Sequence, residues 1–383
     1  MKNYDLIVVG AGVLGTFHSY FALKKGLKVL LVEKDTLPNE ATVRNFGQII
    51  PSGMDLNQWH QYGREAMDIY KALQQEAEIS VRNNGSTYLA SSELEYQLLK
   101  ELQAIHTQNG YSSQLLTQAE CQERLPNVQA DYCVGGLLFP QEITVEPRQM
   151  IHRLIEHLTQ TYALDYRPLT TIKDCEIRNN ACEVTDTRGE RYTAPKAVIC
   201  SGRDFKILFP EVFSNSGMRL SKLHMMATTP MPEVQMPGSI LTGLSIRHYE
   251  SFQSCPSFEQ LKNLPYHNEE LRKYGIHILF KQATDGSIII GDSHEYVDVD
   301  QSETLDFGLD MYINELILDE AKRIMNLPHW KIQNYWAGFY AKHPDQIFEH
   351  NIEDKIFITT GIGGKGMTTS AGYAKHHIET IFA

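Results

Sequence analysis

The sequence predicts an α/β protein of about two domains, and three features carry that prediction. A β-branched run at residues 4–9 passes through a glycine-rich turn into a helix-forming stretch and then a second apolar run, a complete βαβ unit. A strand, a glycine turn and a helix recur near the C-terminal end. Finally, 383 residues exceed the roughly 100–200 that one domain commonly takes.

Taken in order, residues 4–9 read as a strand buried on both faces of a parallel sheet, because apolar residues follow one another without alternation. The turn 10–15 opens a helix to Lys25, Gly26 stops it, and 27–32 is a second strand ending in Glu33. Apolar residues at helical spacing predict helices over 58–77 and 93–109, with a short strand at 86–90 between them. A strand at 136–140 and a helix at 148–162 follow, then a hairpin of 181–186 and 191–194 turned at Arg188-Gly189. Residues 197–200 form another buried strand, ending at Ser201-Gly202. Strands at 275–281 and 287–291 flank the turn Thr284-Asp285-Gly286, and a helix covers 313–325. The last strand, 355–360, meets the turn 361–366 and a helix through Ile381.

With 42% hydrophobic and 21% charged residues the chain excludes disorder, collagen and coiled coil. A formal net charge of −12 repels nucleic-acid phosphates and anionic headgroups, so no nucleic-acid partner is expected. The longest nearly apolar run, 6–15, is about half of a membrane helix, and Asp5 interrupts any signal-peptide pattern. The expectation is a cytoplasmic protein without a membrane span. Six cysteines without two-residue spacing predict buried reduced thiols, with neither a disulfide framework nor a metal site.

The first turn carries the clearest chemistry. Gly10 permits the tight turn, Gly12 lets backbone approach a pyrophosphate, and Gly15 lets helix and strand pack closely. The amides of Val13 and Leu14 at the helix start then face the phosphates. Glu33 follows 33 − 15 = 18 positions after the last glycine, where a carboxylate holds ribose hydroxyls and disfavours a 2′-phosphate; Lys34 stands beside it. The segment is read as a dinucleotide site.

Four segments resemble the D-amino-acid oxidase, glycine oxidase and sarcosine oxidase family of FAD enzymes, a likeness that runs over nearly the whole chain. They are the first turn; Gly135-Gly136-Leu137 through Pro140 with Val145-Glu146-Pro147; 196–202; and 358–368. The resemblance implies noncovalent FAD, a discontinuous Rossmann-like FAD-binding domain (1–85, 140–215 and 330–383) and a second α+β substrate domain (86–139 and 216–329) with a mostly antiparallel sheet. It places Arg44, Asn45, Phe46, Gly47 and Gln48 against pyrophosphate and isoalloxazine, Ile172 against adenine, and Ser201, Gly202 and Gly338 along the cofactor. Gly363, Gly364, Lys365, Gly366, Met367 and Thr368 are assigned to the flavin side.

Departures from the family narrow the chemistry. Tyr340 stands two positions after Trp336-Ala337-Gly338, where glycine oxidase relatives carry an arginine that clamps a carboxylate, and a phenol offers no guanidinium fork. Gly338 replaces the flavin-tethering cysteine of sarcosine oxidases, and Ile289 their oxygen-activating lysine. Residues 241–251 and 291–296 are similar to FAD oxidoreductases associated with phosphonate catabolism. The expected reaction is therefore oxidation of the C–N bond of a small amine, an aminophosphonate, by hydride transfer to flavin N5, with oxygen or another acceptor. The alternatives are a glycine or D-amino-acid oxidase-like enzyme and a flavin-binding protein without turnover. Arg247, His248, Lys281 and Gln48 are the expected substrate-binding residues. His294, His277, His224, Tyr340 and Lys365 are the expected catalytic ones.

Overall fold

Strand Leu6–Val9 lies at the middle of a six-stranded sheet, and its lack of alternation has a simple cause: Leu6 and Val8 enter one hydrophobic core, Ile7 another. The computed structural model describes residues 2–305 and 308–383. Sheet order is Phe348–Ile352, Ile356–Thr360, Lys196–Ile199, Leu6–Val9, Val29–Val32 and Asp165–Arg167. Neighbours are parallel except at the antiparallel edge strand Phe348–Ile352. Parallel strands need a crossover, and helix Val13–Lys24 supplies the first. It packs with helices Gln58–Glu76 and Gly366–Ile381 over the face that carries Leu6 and Val8. The four strands Lys2–Asn3, Arg191–Ala194, Ala181–Asp186 and Ile172–Arg178 form a small sheet whose Cys182, Val184 and Tyr192 cover the other face.

A nine-stranded, mostly antiparallel sheet completes the structure. Its order runs Glu295–Asp298, Arg219–Thr228, Ile288–Gly291, Leu279–Gln282, Ser239–Leu241, Ser86–Ala90, Gly135–Phe139 and Gln114–Thr117, with Ile332–Lys342 paired along Arg219–Thr228. Only the pairing of Ser239–Leu241 with Ser86–Ala90 is parallel within it. Helix Met311–Ile324 covers the outer face, where Met226, Phe280 and Ile290 meet Ile313 and Ile317; Met225 and Leu279 point inward. The mixed architecture is the one expected: a Rossmann-like parallel sheet beside an antiparallel one.

Several elements depart from the sequence reading. The helix expected at 313 begins two residues earlier because Asp310 caps it, its side chain accepting from the Tyr312 amide at 2.9 Å. The strand expected from 275 begins at Leu279, since Gly275 adopts φ +57° and closes a turn. Two long strands, Arg219–Thr228 and Ile332–Lys342, have no counterpart in that reading. Arg219–Thr228 is buried at nine of its ten positions, so polar Lys222 and His224 break an apolar run with no alternation to follow. Ile332–Lys342, within the segment 330–383, hydrogen-bonds along Arg219–Thr228 of the large sheet.

Candidate functional site

The first glycine turn is shaped by backbone. Gly10 has φ +97°, and a Cβ there would lie 2.3 Å from the Cys200 carbonyl oxygen; a Cβ on Gly15 would lie 1.9 Å from the Gly10 oxygen. Gly12 precedes helix Val13–Lys24 in extended conformation, and a Cβ there would approach Thr42 Oγ1 at 3.2 Å. Thr42 Oγ1 accepts from the Val13 amide at 2.9 Å. Glu33, nearly buried, accepts from the Ala11 amide at 3.0 Å and the Asp35 amide at 3.1 Å. Burial raises its pKa, while those two hydrogen bonds oppose the shift. Lone pairs remain on both carboxylate oxygens.

The same cleft is lined by Gly10, Gly12, Val13, Leu14, Glu33 and Lys34 from the N-terminal unit. Asn45, Ile172, Ser201 and Gly202 add to it, and the C-terminal turn contributes Gly363, Gly364, Gly366 and Met367, with Tyr340 between the two turns. Met367 also reaches the core, where its sulfur accepts from Tyr70 Oη. Ser201 Oγ and Gln48 Nε2 are buried without a protein hydrogen-bond partner. Ser201, on the cleft lining, thus presents an orphaned polar atom beside a glycine cradle, which fits a polar dinucleotide. Phe46 is buried in the core beneath. Gly47, at φ +71°, leaves a Cβ position only 2.3 Å from the Val145 oxygen, so it fits the chain against its neighbour.

Other expected site residues are engaged elsewhere. Arg44 Nε donates to Asn39 O at 2.8 Å, whereas its own carbonyl oxygen accepts from Trp336 Nε1 at 3.3 Å and lies 3.2 Å from the Cβ position of Gly338. Thr368 Oγ1 donates to Gln48 O at 3.3 Å, tying the C-terminal helix to strand Gln48–Ile49. Lys365 Nζ donates to both carboxylate oxygens of Glu250, at 3.2 and 3.0 Å, and to Gln346 Oε1 at 2.9 Å. Its ammonium is committed to an ion pair rather than free for catalysis.

Three further expectations are corrected. His224 faces the outer side of its strand, with Nδ1 3.1 Å from Asn314 Oδ1 on the covering helix and Nε2 3.4 Å from Glu295. Arg247 donates to the carbonyls of Leu261 at 2.8 Å and Leu264 at 3.2 Å and lies over the Tyr266 ring. Lys281 is fully buried, donates to Val145 O at 2.6 Å and sits 3.4 Å from Glu146; burial lowers its pKa to about 8 against the pull of that carboxylate. All three secure neighbouring segments.

His248, His277 and His294, by contrast, come together, with one ring nitrogen of each lying within 4.8 Å of the others. The rings of His248 and His277 stack at 4.0 Å and 14°. His277 Nε2 is 2.8 Å from Asp292 Oδ1, and His294 Nδ1 is 3.1 Å from Gly275 O. His248 is exposed, although the protein packed around its ring and the adjacent imidazoles hold its pKa below the usual value. Burial also lowers the pKa of His294, with Asp292 opposing. Tyr340, 7% exposed, has its pKa raised by burial and by Asp292, which places it between this cluster and the cleft. Asp292, Lys342 and Thr42 were not singled out from sequence. Asp292 stands two positions before His294, and acid near histidine was the available signal.

A family model described as FAD dependent oxidoreductase matches residues 5–380. The chain is 23% identical over 398 residues to a glycerol 3-phosphate dehydrogenase of Caloramator mitchellensis, covering 99% of this chain and 74% of that one. It is 25% identical to the mitochondrial sarcosine dehydrogenase of Mus musculus over 61% of this chain, spanning 24% of that protein. The crystal structure of glycine oxidase from Bacillus cereus ATCC 14579 superimposes with a TM-score of 0.78 at 19% identity, covering 99% of this chain and 95% of that one. An FAD-bound L-alpha-glycerophosphate oxidase from Mycoplasma pneumoniae gives a TM-score of 0.79 at 15% identity, with coverage of 99% and 95%. Among the described residues, no helix is long and apolar enough to cross a membrane.

Proposed function

We propose, from the premise that this chain belongs to the family of FAD-dependent oxidoreductases and uses FAD, that it oxidises the C–N bond of a small amine carrying an anionic group. Tyr340 carries the reading: it borders the nucleotide cleft on one side and is held neutral by burial and by Asp292 on the other. Gly10, Gly12, Val13 and Leu14 would hold the pyrophosphate and Glu33 the ribose. Asn45, Gln48, Ser201, Gly202, Gly363, Gly364 and Gly366 would line the rest. FAD supplies the two-electron acceptor that no side chain provides.

The chain's own residues set the conditions. His277 and Tyr340 are buried and His294 is half-buried, and such desolvation would disfavour an ammonium, so an amine bound among them would be held neutral. The Tyr340 phenol, still protonated at neutral pH, donates to the Arg44 carbonyl oxygen at 3.5 Å, and its oxygen would accept from an amine N–H to orient it.

The finer reading is an aminophosphonate, supported by the missing arginine clamp at Tyr340 and by relatives named for glycerol 3-phosphate, whose substrate carries a similar tetrahedral oxyanion. An amino acid is the second reading, favoured by the glycine oxidase fold. Anaerobic addition of 2-aminoethylphosphonate, its N-methyl derivative and the matching β-amino acids to the yellow protein tests both. Flavin bleaching by the phosphonates at lower concentration is expected. Bleaching by the carboxylates alone overturns the phosphonate reading, and no bleaching by any amine overturns the amine reading.

A further inference from the structure

We propose that His248, His277 and His294 form a receptor for a tetrahedral oxyanion, the PO3 group of a phosphonate or phosphate ester, which enters together with one proton. The inference rests on the reading of the region beside Tyr340 as the substrate site and adds what recognises the anion there.

Hydrogen-bond bookkeeping leads to it. His294 Nδ1 faces the Gly275 carbonyl at 3.1 Å, so in that ring the proton of a neutral imidazole is spoken for, while His277 Nε2 lies 2.8 Å from Asp292 Oδ1 as an ion-pair contact. His277 Nδ1 is left buried with no partner, in a residue only 4% exposed. A neutral His294 therefore carries a lone pair, not a proton, on its other nitrogen, and a lone pair repels a fully ionised anion.

A PO3 group resolves the conflict because its second ionisation falls near neutrality. As the monoanion it brings a P–O–H donor for one lone pair; as the dianion it draws a proton from solution onto an imidazole. Either route leaves the same complex: one oxyanion, one shared proton and at least one charge-assisted hydrogen bond. A carboxylate, ionised far below neutral pH, brings no proton.

The charged and titratable groups around the cluster fit this balance. Lys342, on strand Ile332–Lys342, is close enough to depress both His248 and His294 and supplies a fixed positive charge. Asp292 Oδ1 lies 2.8 Å from His277 Nε2, and Tyr249, Tyr296 and Tyr340, the surrounding phenols, stay neutral because burial raises the pKa of all three. A metal ion fits less well. The rings of His248 and His277 are stacked at 14°, so their in-plane lone pairs run side by side instead of converging on a point about 2.0–2.1 Å from each nitrogen.

The test is calorimetric titration of the FAD-loaded protein with methylphosphonate, methyl phosphate and acetate, none of which can be oxidised. Measurements in Tris and in HEPES at pH 8 report protons taken up. Uptake of about one proton, an affinity falling about tenfold from pH 7.5 to 8.5, and acetate binding at least tenfold more weakly are expected. The tighter of the two phosphorus ligands identifies the source of the group. His248→Asn and His294→Asn should each weaken the preferred ligand at least tenfold while FAD content stays unchanged.

Equal affinity for acetate, or binding without proton uptake, overturns the receptor. So does stoichiometric Zn²⁺ binding that disappears in the same variants, which assigns the cluster to a metal. Flavin absorbance separates the two proposals. Methylphosphonate binding with proton uptake but no spectral shift keeps the receptor and removes it from the substrate site; bleaching by amines without methylphosphonate binding does the reverse.

Discussion

The glycine cleft and the histidine cluster are neighbours joined by Tyr340, yet they are built in opposite ways. The cleft is made of backbone: positive φ at Gly10, Gly202 and Gly363, a helix start at Val13, and side chains largely kept out. Six adjacent residues, 10–15, encode most of it. The cluster is made of side chains delivered by separate elements, from helix Gly243–His248, the turn before Leu279–Gln282, the link after Ile288–Gly291 and the strand Ile332–Lys342. No spacing in the chain joins residues 248, 277, 294 and 342. Local backbone geometry repeats as a motif, whereas a convergent set of side chains exists only once the sheet has formed.

The largest expected effects fall on the cleft. Gly15→Val places a Cβ 1.9 Å from the Gly10 oxygen, a backbone atom that cannot swing away. Soluble, cooperatively folding protein should be lost. Gly12→Val meets only Thr42 Oγ1 at 3.2 Å, so that variant should fold with a melting temperature within a few degrees of wild type and yet retain little FAD. The flavin-to-protein absorbance ratio and a melting curve check both. A Gly12→Val protein with full FAD content would break the backbone half of the comparison.

This contrast explains what could be read in advance. Strands such as Ser86–Ala90 and Ala181–Asp186 fall where the sequence puts them, because apolar runs bounded by turns report burial directly. Strand Arg219–Thr228 escaped because the helix Met311–Ile324 buries its second face, and an interrupted apolar run does not announce a strand. Among the site residues, His277 and His294 share a cluster but His224 does not: strand alternation turns it toward Asn314. Arg247 and Lys281 have the right charge, but backbone carbonyls claim both. Charge can be read from sequence, and a competing partner cannot.

Glu142 lies outside both regions and offers an intermediate effect. It is fully buried and accepts from the Ser52 amide at 2.8 Å, from Tyr111 Oη at 2.9 Å and from Ser86 Oγ. Burial outweighs these bonds and raises its pKa to about 7 from the usual 4.5. A carboxyl so raised holds a proton more tightly folded than unfolded. Its contribution is fully present below about pH 4.5 and is lost as pH rises through 7, at most about 3 kcal/mol. Glu142→Gln cannot titrate, so the variant should show a flatter dependence of melting temperature on pH between 5 and 8. Identical slopes would mean that Glu142 is ionised in the folded protein at both ends of that range.

The smallest effect tests the corrected role of Arg247. Its guanidinium donates to Leu261 and Leu264 and covers Tyr266, so it fastens the segment after helix Gly243–His248 rather than facing the cluster. Arg247→Ala removes two charge-assisted bonds at a partly exposed site, worth about 1–2 kcal/mol together, and should lower the melting temperature by a few degrees. Because His248 ends that helix, looser anchoring should also lower kcat/KM modestly, and by the same factor for a phosphonate and its matching carboxylate. The ratio between the two substrates is the decisive quantity. If it stays constant in Arg247→Ala but shifts at least tenfold in His248→Asn, the anion is read by the imidazoles and the arginine only holds their support. A ratio that collapses in Arg247→Ala would instead return the guanidinium to the site and show that the loop rearranges when substrate arrives.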